Sequence, residues 1–223
     1  MKAVLFDLDG VITDTAVYHY HAWKALGEKI GIEIDEEFNE ELKGVSRTDS
    51  LNRILAKGNK EEAYSQTEKE TMAAEKNELY KTMIEEMSPK DILPGIKALL
   101  DGLKERNILI GLASASQNGP TILEKLQLTD YFDEIVDPAK LKAGKPDPEI
   151  FLTGAKDLGV KPQDCVGVED AAAGVEAIAA ADMVSVGVGD ADTLGKATKV
   201  VPETGALTVE LLEEVWSEAV GRS

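Results

Sequence analysis

The sequence predicts an α/β fold: a parallel sheet flanked by helices, with a helical domain inserted after the first strand. Three observations predict it. Short, continuous apolar runs rich in β-branched residues recur along the chain, as strands buried on both faces of a parallel sheet require. Helical stripes lie between most of these runs, which is the alternation of an α/β fold. The stretch from Thr15 to Met87 breaks the alternation, carrying helical stripes and no strand-like run.

Taken in order, Ala3 to Phe6 forms the first strand and delivers the chain into Asp7-Leu8-Asp9-Gly10. In the insertion, Ala22, Trp23, Leu26 and Ile30 mark one helix, Leu51, Ile54 and Leu55 a second, and Met72, Leu79, Met83 and Met87 a third. The acidic run Asp35, Glu36, Glu37, Glu40 and Glu41 reads as a solvated helix face. The core resumes near Pro89-Lys90-Asp91 with a helix striped by Ile96, Leu99, Leu100 and Leu103. A strand over Ile108–Ala113 and a helix with Ile122, Leu123 and Leu126 follow. The run Cys165–Val168 then leads through Glu169-Asp170 into a helix from Ala171 to about Ala181. Strands at Val184–Val188 and Val200–Val201 precede a last helix bearing Leu211, Leu212, Val215 and Trp216. Residues 1–14 and 88–223 are thus expected to form the core domain and 15–87 the helical domain.

Hydrophobic residues make up 43% and charged residues 30% of the 223, an ordinary balance for a folded globular chain. With 42 acidic against 24 basic side chains, the net charge is −18. Such a surface repels nucleic acid and anionic lipid, whose phosphates need Lys or Arg. It also gives no long-range attraction to a small phosphorylated substrate, so any phosphate site must be built locally. The apolar start stops short of a signal-peptide core, and no run approaches the ~20 residues of a membrane span; the cytoplasm is the expected location. Cys165 is the single cysteine. It is expected to be inert core, with neither a disulfide nor a zinc site in prospect.

In open α/β sheets ligands bind beyond the carboxyl ends of the strands. Three such ends carry reactive groups: Asp7 and Asp9 on the first, Ser114-Ala115-Ser116 with Asn118 on the second, and Glu169-Asp170 on a later one. Two residues apart on an extended tip, Asp7 and Asp9 point the same way. Their repulsion calls for a cation or a shared proton, and with Glu169 and Asp170 alongside, for a hard ion such as Mg²⁺. The plainer alternatives are a turn at Asp9-Gly10 and an N-cap at Asp170. A calcium loop starting at Asp7 fails, because Ile12 and Tyr18 stand where a glycine and an acid are needed. There is no Gly-Lys-Ser/Thr phosphate loop, and Gly187-Val188-Gly189 lacks a third glycine. Lys145 lies in a loop as Gly144-Lys145-Pro146. Lys76 falls on the apolar face of the third inserted helix, where its stem would snorkel past Met72, Leu79 and Met83. His19 opens the insertion.

Asp-x-Asp-Gly after the first strand, Ser after the second, a later Lys-Pro and an acidic pair after another strand resemble the haloacid dehalogenase superfamily, in order and across the whole chain. Longer strings are similar to the β-phosphoglucomutase family within it. They are Asp7 to Ala16 with His19 and Ala22-Trp23-Lys24, Lys43-Gly44-Val45-Ser46-Arg47 with Ser50-Leu51, and Ala113 to Ser116 with Asn118-Gly119-Pro120. The resemblance implies a Rossmann-like core of that superfamily and a helical cap over residues 15–87. It implies conversion of β-glucose 1-phosphate to glucose 6-phosphate with Mg²⁺, primed by β-glucose 1,6-bisphosphate. Asp7 would be the nucleophile and Asp9 the acid–base. Asp7, Asp170 and the Asp9 carbonyl would bind the ion, supported by Glu169. Ser114, the Ala115 N–H and Lys145 would hold the transferring phosphate. The segment Gly44, Val45, Ser46 and Arg47, with Ser116 and Asn118, would take the second phosphate, and Thr15, His19 and Lys76 would couple cap closure to Asp9.

The physics suits this assignment, since phosphoryl transfer needs positioning and charge neutralisation above all. A carboxylate nucleophile divides the transfer into two steps. Two other readings stay open: a sugar-phosphate hydrolase with the same nucleophile, and a non-catalytic phosphosugar-binding relative. The expected partner is a small phosphosugar, and the expected state is a monomer.

Overall fold

The computed structural model describes residues 1–221. Its six strands are β1 (Ala3–Phe6), β2 (Leu109–Leu112), β3 (Glu134–Ile135), β4 (Cys165–Glu169), β5 (Val184–Val188) and β6 (Lys199–Val201). They form one all-parallel sheet in the order β3-β2-β1-β4-β5-β6. The change of direction falls at β1, with β2 on one side and β4 on the other. Phe6 pairs with Leu112 and with Val168, so the residues that follow all three strands emerge side by side. This is the crevice where a doubly wound sheet binds ligands.

Every residue of β1, β4 and β5 is buried, which is why their sequences are unbroken apolar runs rather than alternations. The helices between strands supply the covering layers. Helix α5 (Ile96–Glu105) buries Ile96, Leu99, Leu100 and Leu103, one stripe at helical spacing. α6 (Gly119–Lys125) buries Ile122 and Leu123, and α7 (Glu149–Asp157) buries Ile150 and Phe151. α8 (Ala172–Ala180) lays Val175 and Ile178 on the sheet, and α9 (Val209–Gly221) buries Leu212 and Val215. One core cluster joins Leu5, Phe151, Cys165 and Ile178, so the cysteine is packed among hydrocarbon. Strand β3 escaped the sequence reading, because two half-buried residues, Glu134 and Ile135, make no apolar run.

The chain divides into two compact units, Met1–Asp14 with Met87–Ser223, and Thr15–Glu86. The second is purely helical among its described elements: α1 (Ala16–Ile30), α2 (Glu36–Glu40), α3 (Arg47–Lys57) and α4 (Gln66–Ile84). Trp23, Leu26, Ile32, Ile34, Leu51, Ile54 and Leu55 form its core. Its ends are marked in the sequence. Gly31 takes the left-handed conformation that closes α1, and Ser65 with Glu68 makes a reciprocal capping box on α4. The acidic run is solvated as expected, and Asp35 also caps α2 by accepting the Phe38 N–H.

One face was misread. The buried stripe of α4 is Lys76, Asn77, Tyr80 and Ile84, not the line through Leu79, which is 38% exposed. A tyrosine and two polar residues carry that stripe, so counting aliphatic residues rotated the helix. Among the described residues no helix is long and apolar enough to cross a membrane.

Candidate active site

Asp7 is the first residue beyond β1, and its N–H donates to the Val168 carbonyl, which holds it against the end of β4. It is 3% exposed. The chain then folds back tightly: the Ile12 and Thr13 N–H groups both donate to the Leu8 carbonyl, and the Gly10 N–H donates to the Thr13 carbonyl. Gly10 supplies the positive φ of 70° that this reversal needs. The hydroxyl of buried Thr13, which no sequence feature singled out, donates to the Asp91 carbonyl and ties the loop to the returning chain. Asp9 rides on this loop, partly exposed.

Glu169 ends β4 and is fully buried. Its Oε1 accepts the N–H groups of Asp170 and Ala171, both at 3.2 Å, at the start of α8. Asp170 lies against Gly10: a Cβ on that glycine would fall 2.1 Å from Asp170 Oδ2. The N-cap of α8 is Ala171, so the capping alternative for Asp170 does not hold, whereas the chain does turn at Asp9-Gly10.

Lys145 enters from the loop before α7. Glu149 pins that loop by accepting the Lys142 and Ala143 N–H groups at 2.7 and 2.9 Å. The Lys145 ammonium donates to Asp7 Oδ1 and Glu169 Oε2, each at 2.7 Å, and sits over the Phe151 ring. Burial disfavours its charge, but the two carboxylates outweigh burial and hold its pKa above the usual lysine value. Burial and the neighbouring Asp7 charge push Glu169 up to about 7, against the pull of Lys145 and the Ala171 N–H.

Oxygens of Asp7, Glu169 and Asp170 all lie within 4.8 Å of one another. Three hard oxygen donors with one ammonium between two of them leave surplus negative charge, and this set fits Mg²⁺. Asp9 is not in this carboxylate set.

After β2, the Ala113 N–H donates to the Phe6 carbonyl, setting Ser114 beside the Asp7 tip. Ser114 Oγ accepts the Ser116 N–H and Ser116 Oγ accepts the Asn118 N–H, while Asn118 stands at the N-terminus of α6. Ala115, between them, is partly exposed.

The helical unit has its own cluster. Lys76 is 4% exposed, so it does not snorkel out as expected. Its ammonium lies 2.7 Å from His19 Nδ1 and over the rings of Trp23 and Tyr80. Tyr80 stacks on His19, with ring centroids 4.1 Å apart, and donates its hydroxyl to Thr15 Oγ1 at 2.9 Å. Burial, then the charges of Lys76 and Arg47, hold the His19 pKa well below its usual value. Tyr80 was missed, although its place four residues after Lys76 on one helix was a usable signal. Gly44 and Val45 lead to Ser46, which caps α3 by accepting the Asp49 N–H, and Arg47 is the first residue of that helix.

Comparison with known proteins finds the following similarities. Residues 1–182 match the model of the haloacid dehalogenase-like hydrolase family. The β-phosphoglucomutase of Bacillus subtilis (strain 168) is 52% identical over 218 residues, 98% of this chain and 96% of that protein. A phosphorylated carbohydrates phosphatase of Thermotoga maritima is 31% identical, covering 96% of each chain. Among solved structures, a β-phosphoglucomutase from Clostridium difficile superposes with a TM-score of 0.98 at 53% identity, covering both chains completely.

Proposed function

We propose the function from one premise: the chain belongs to the haloacid dehalogenase-like hydrolase family. Within it the protein works as a β-phosphoglucomutase, interconverting β-D-glucose 1-phosphate and D-glucose 6-phosphate. The observation that carries this reading is 52% identity to such a mutase over nearly the full length of both chains. The similarity to a carbohydrate phosphatase is much lower, at 31%.

The reaction runs through β-glucose 1,6-bisphosphate. Aspartyl phosphate at Asp7 is attacked by the 6-hydroxyl of β-glucose 1-phosphate, whose proton passes to Asp9. The O–P bond at C6 forms as the acyl phosphate bond breaks. The bisphosphate turns round, an Asp7 oxygen attacks the phosphorus on C1, and Asp9 returns a proton to O1 as glucose 6-phosphate leaves. Lys145, donating to Asp7, holds the nucleophile in line and offsets charge on the phosphoryl oxygens. Ser114 and the Ala115 N–H bind those same oxygens. Asp7, Asp170 and the Asp9 carbonyl, with Glu169 behind them, would hold Mg²⁺, which when bound would supply further neutralising charge. Arg47, with Ser116, Asn118 and the Gly44–Ser46 segment, holds the second phosphate, and Thr15, His19 and Lys76 support the acid–base setting of Asp9.

The test follows glucose 6-phosphate and free phosphate in parallel, from β-glucose 1-phosphate with Mg²⁺ and a trace of the bisphosphate, using the α-anomer as control. Isomerisation of the β-anomer alone, with little free phosphate, is expected. Free phosphate without isomerisation would replace the mutase by a phosphatase with the same nucleophile. Arg47→Ala is expected to cripple the mutase cycle while aspartyl phosphate still forms from a small donor, and an unchanged mutase rate would remove Arg47 from the site.

A further inference from the structure

Glu169 is the most constrained side chain of the acidic cluster. It is fully buried, bonded to Lys145 on one oxygen and to two backbone N–H groups at the head of α8 on the other. The floor of its pocket is Gly174, in the first turn of α8. A Cβ at position 174 would lie 2.0 Å from both Cδ and Oε2 of Glu169 and 2.3 Å from Cγ. No real Cβ approaches other atoms so closely, so one side must yield. The helix backbone is held by its own hydrogen bonds, whereas the glutamate can leave only by giving up Lys145 and both N–H donors. Lys145 in turn bonds Asp7.

We propose that Gly174 is a positioning residue for the metal-binding cluster: the missing side chain at 174 is the space that seats the Glu169 carboxylate beside Asp7 and Asp170. Nothing else recommends glycine there. Its φ is not in the left-handed region that favours glycine, and glycine is a poorer helix former than alanine. Gly10 relates to Asp170 in the same way, with a Cβ 2.1 Å from Oδ2, but its positive φ also requires glycine, so it cannot isolate the effect. The sequence pattern fits this reading: Ala171, Ala172 and Ala173 fill the helix start with the smallest chiral side chain, and only position 174 drops to glycine.

The inference rests on the proposed Mg²⁺ site, and the experiment separates the two. Mg²⁺ affinity is measured by isothermal titration calorimetry, without substrate, for the wild type, Gly174→Ala, Glu169→Asp and the double variant, each with its melting temperature. Gly174→Ala is expected to weaken Mg²⁺ binding at least tenfold. Glu169→Asp removes the two atoms at 2.0 Å and leaves only the 2.3 Å contact at Cγ, which a turn about χ1 relieves, so in the Gly174→Ala background it is expected to recover affinity several-fold, although Glu169→Asp alone weakens binding. A helix-propensity role for position 174 would instead raise the melting temperature of Gly174→Ala and leave Mg²⁺ affinity alone, which overturns the proposal. A double variant that binds no better than Gly174→Ala overturns it, as does failure of both variants to fold, since the obstruction would then not be Glu169. A wild-type protein that takes up no Mg²⁺ would overturn the metal site itself.

Discussion

The two units each bury one lysine ammonium, and they do so by different chemistry. In the sheet unit Lys145 is clamped by two carboxylates, each at 2.7 Å. In the helical unit Lys76 lies against an imidazole nitrogen and the faces of two aromatic rings. The first arrangement fixes charge, because attraction to full negative charges in a low-dielectric site is strong and its loss exposes both partners. The second is softer, because ring quadrupoles and a neutral imidazole contribute less than full negative charges. A phosphoryl-transfer centre needs the fixed kind beside its nucleophile.

The largest expected effect lies at the nucleophile. Asp7→Asn and Asp7→Ala should each lower mutase turnover by about 10⁴-fold or more, since neither side chain can become an acyl phosphate. A working Asp7→Ala enzyme, assayed by glucose 6-phosphate formation, would refute the covalent route. Next comes the contrast between the lysines, read by urea unfolding. Lys145→Met leaves Asp7 and Glu169 buried together without their cation and should cost about 3–5 kcal/mol. Lys76→Met gives up one hydrogen bond and two ring contacts while keeping an apolar stem, and should cost only about 1–2 kcal/mol. Equal losses would show that the two pockets do not differ in kind.

A third prediction uses the imidazole partner. An ammonium has only hydrogens to donate, so His19 Nδ1 must accept from Lys76, which requires a neutral ring. Its pKa in the folded protein is lowered by burial, with Lys76 and Arg47 as the facing charges. For a base shifted down, the unfolded chain binds the proton that the folded one refuses, so stability is complete above the unfolded value of about 6.5 and falls on acidification. By pH 5.5 the wild type should have lost about 1.4 kcal/mol relative to pH 7.5 from this group alone. His19→Gln should remove that part of the slope, and identical slopes would mean that His19 charges freely in the fold.

How much of this was legible in the sequence also differs between the units. In the core, strand ends could be read from unbroken apolar runs, and the groups following them, Asp7, Ser114 and Glu169-Asp170, emerge together because parallel strands leave their carboxyl ends on one edge. Lys145 could not be placed this way. It arrives from a loop that Glu149 pins, and its ammonium is set by Asp7, Glu169 and the Phe151 ring, contacts that no local pattern announces. In the helical unit the apolar periodicity gave the helices but misplaced the inner face of α4. The residues buried there include Lys76 and Tyr80, whose burial is made tolerable by His19 and Thr15, far away in sequence, and no local pattern reveals such partners. Gly174 was silent too, because a missing side chain becomes informative only once Glu169 is seen beneath it.

The smallest effect bears on why Thr15 fails to cap its own helix. Threonine precedes α1 in the N-cap position, yet its backbone (φ −102°, ψ 7°) is not the extended one that a cap uses, and Oγ1 instead accepts the hydroxyl of fully buried Tyr80. A hydrogen bond of this kind contributes about 0.5–1.5 kcal/mol, while stranding one buried partner costs more than removing both. Tyr80→Phe and Thr15→Val should therefore each destabilise by about 1 kcal/mol in urea unfolding with an unchanged m-value. The double variant should lose clearly less than the sum, by a coupling of about 0.5–1 kcal/mol. Strict additivity would mean that the two hydroxyls stabilise the unit separately, and the ring of Tyr80, stacked on His19, would then be its contribution to the Lys76 pocket.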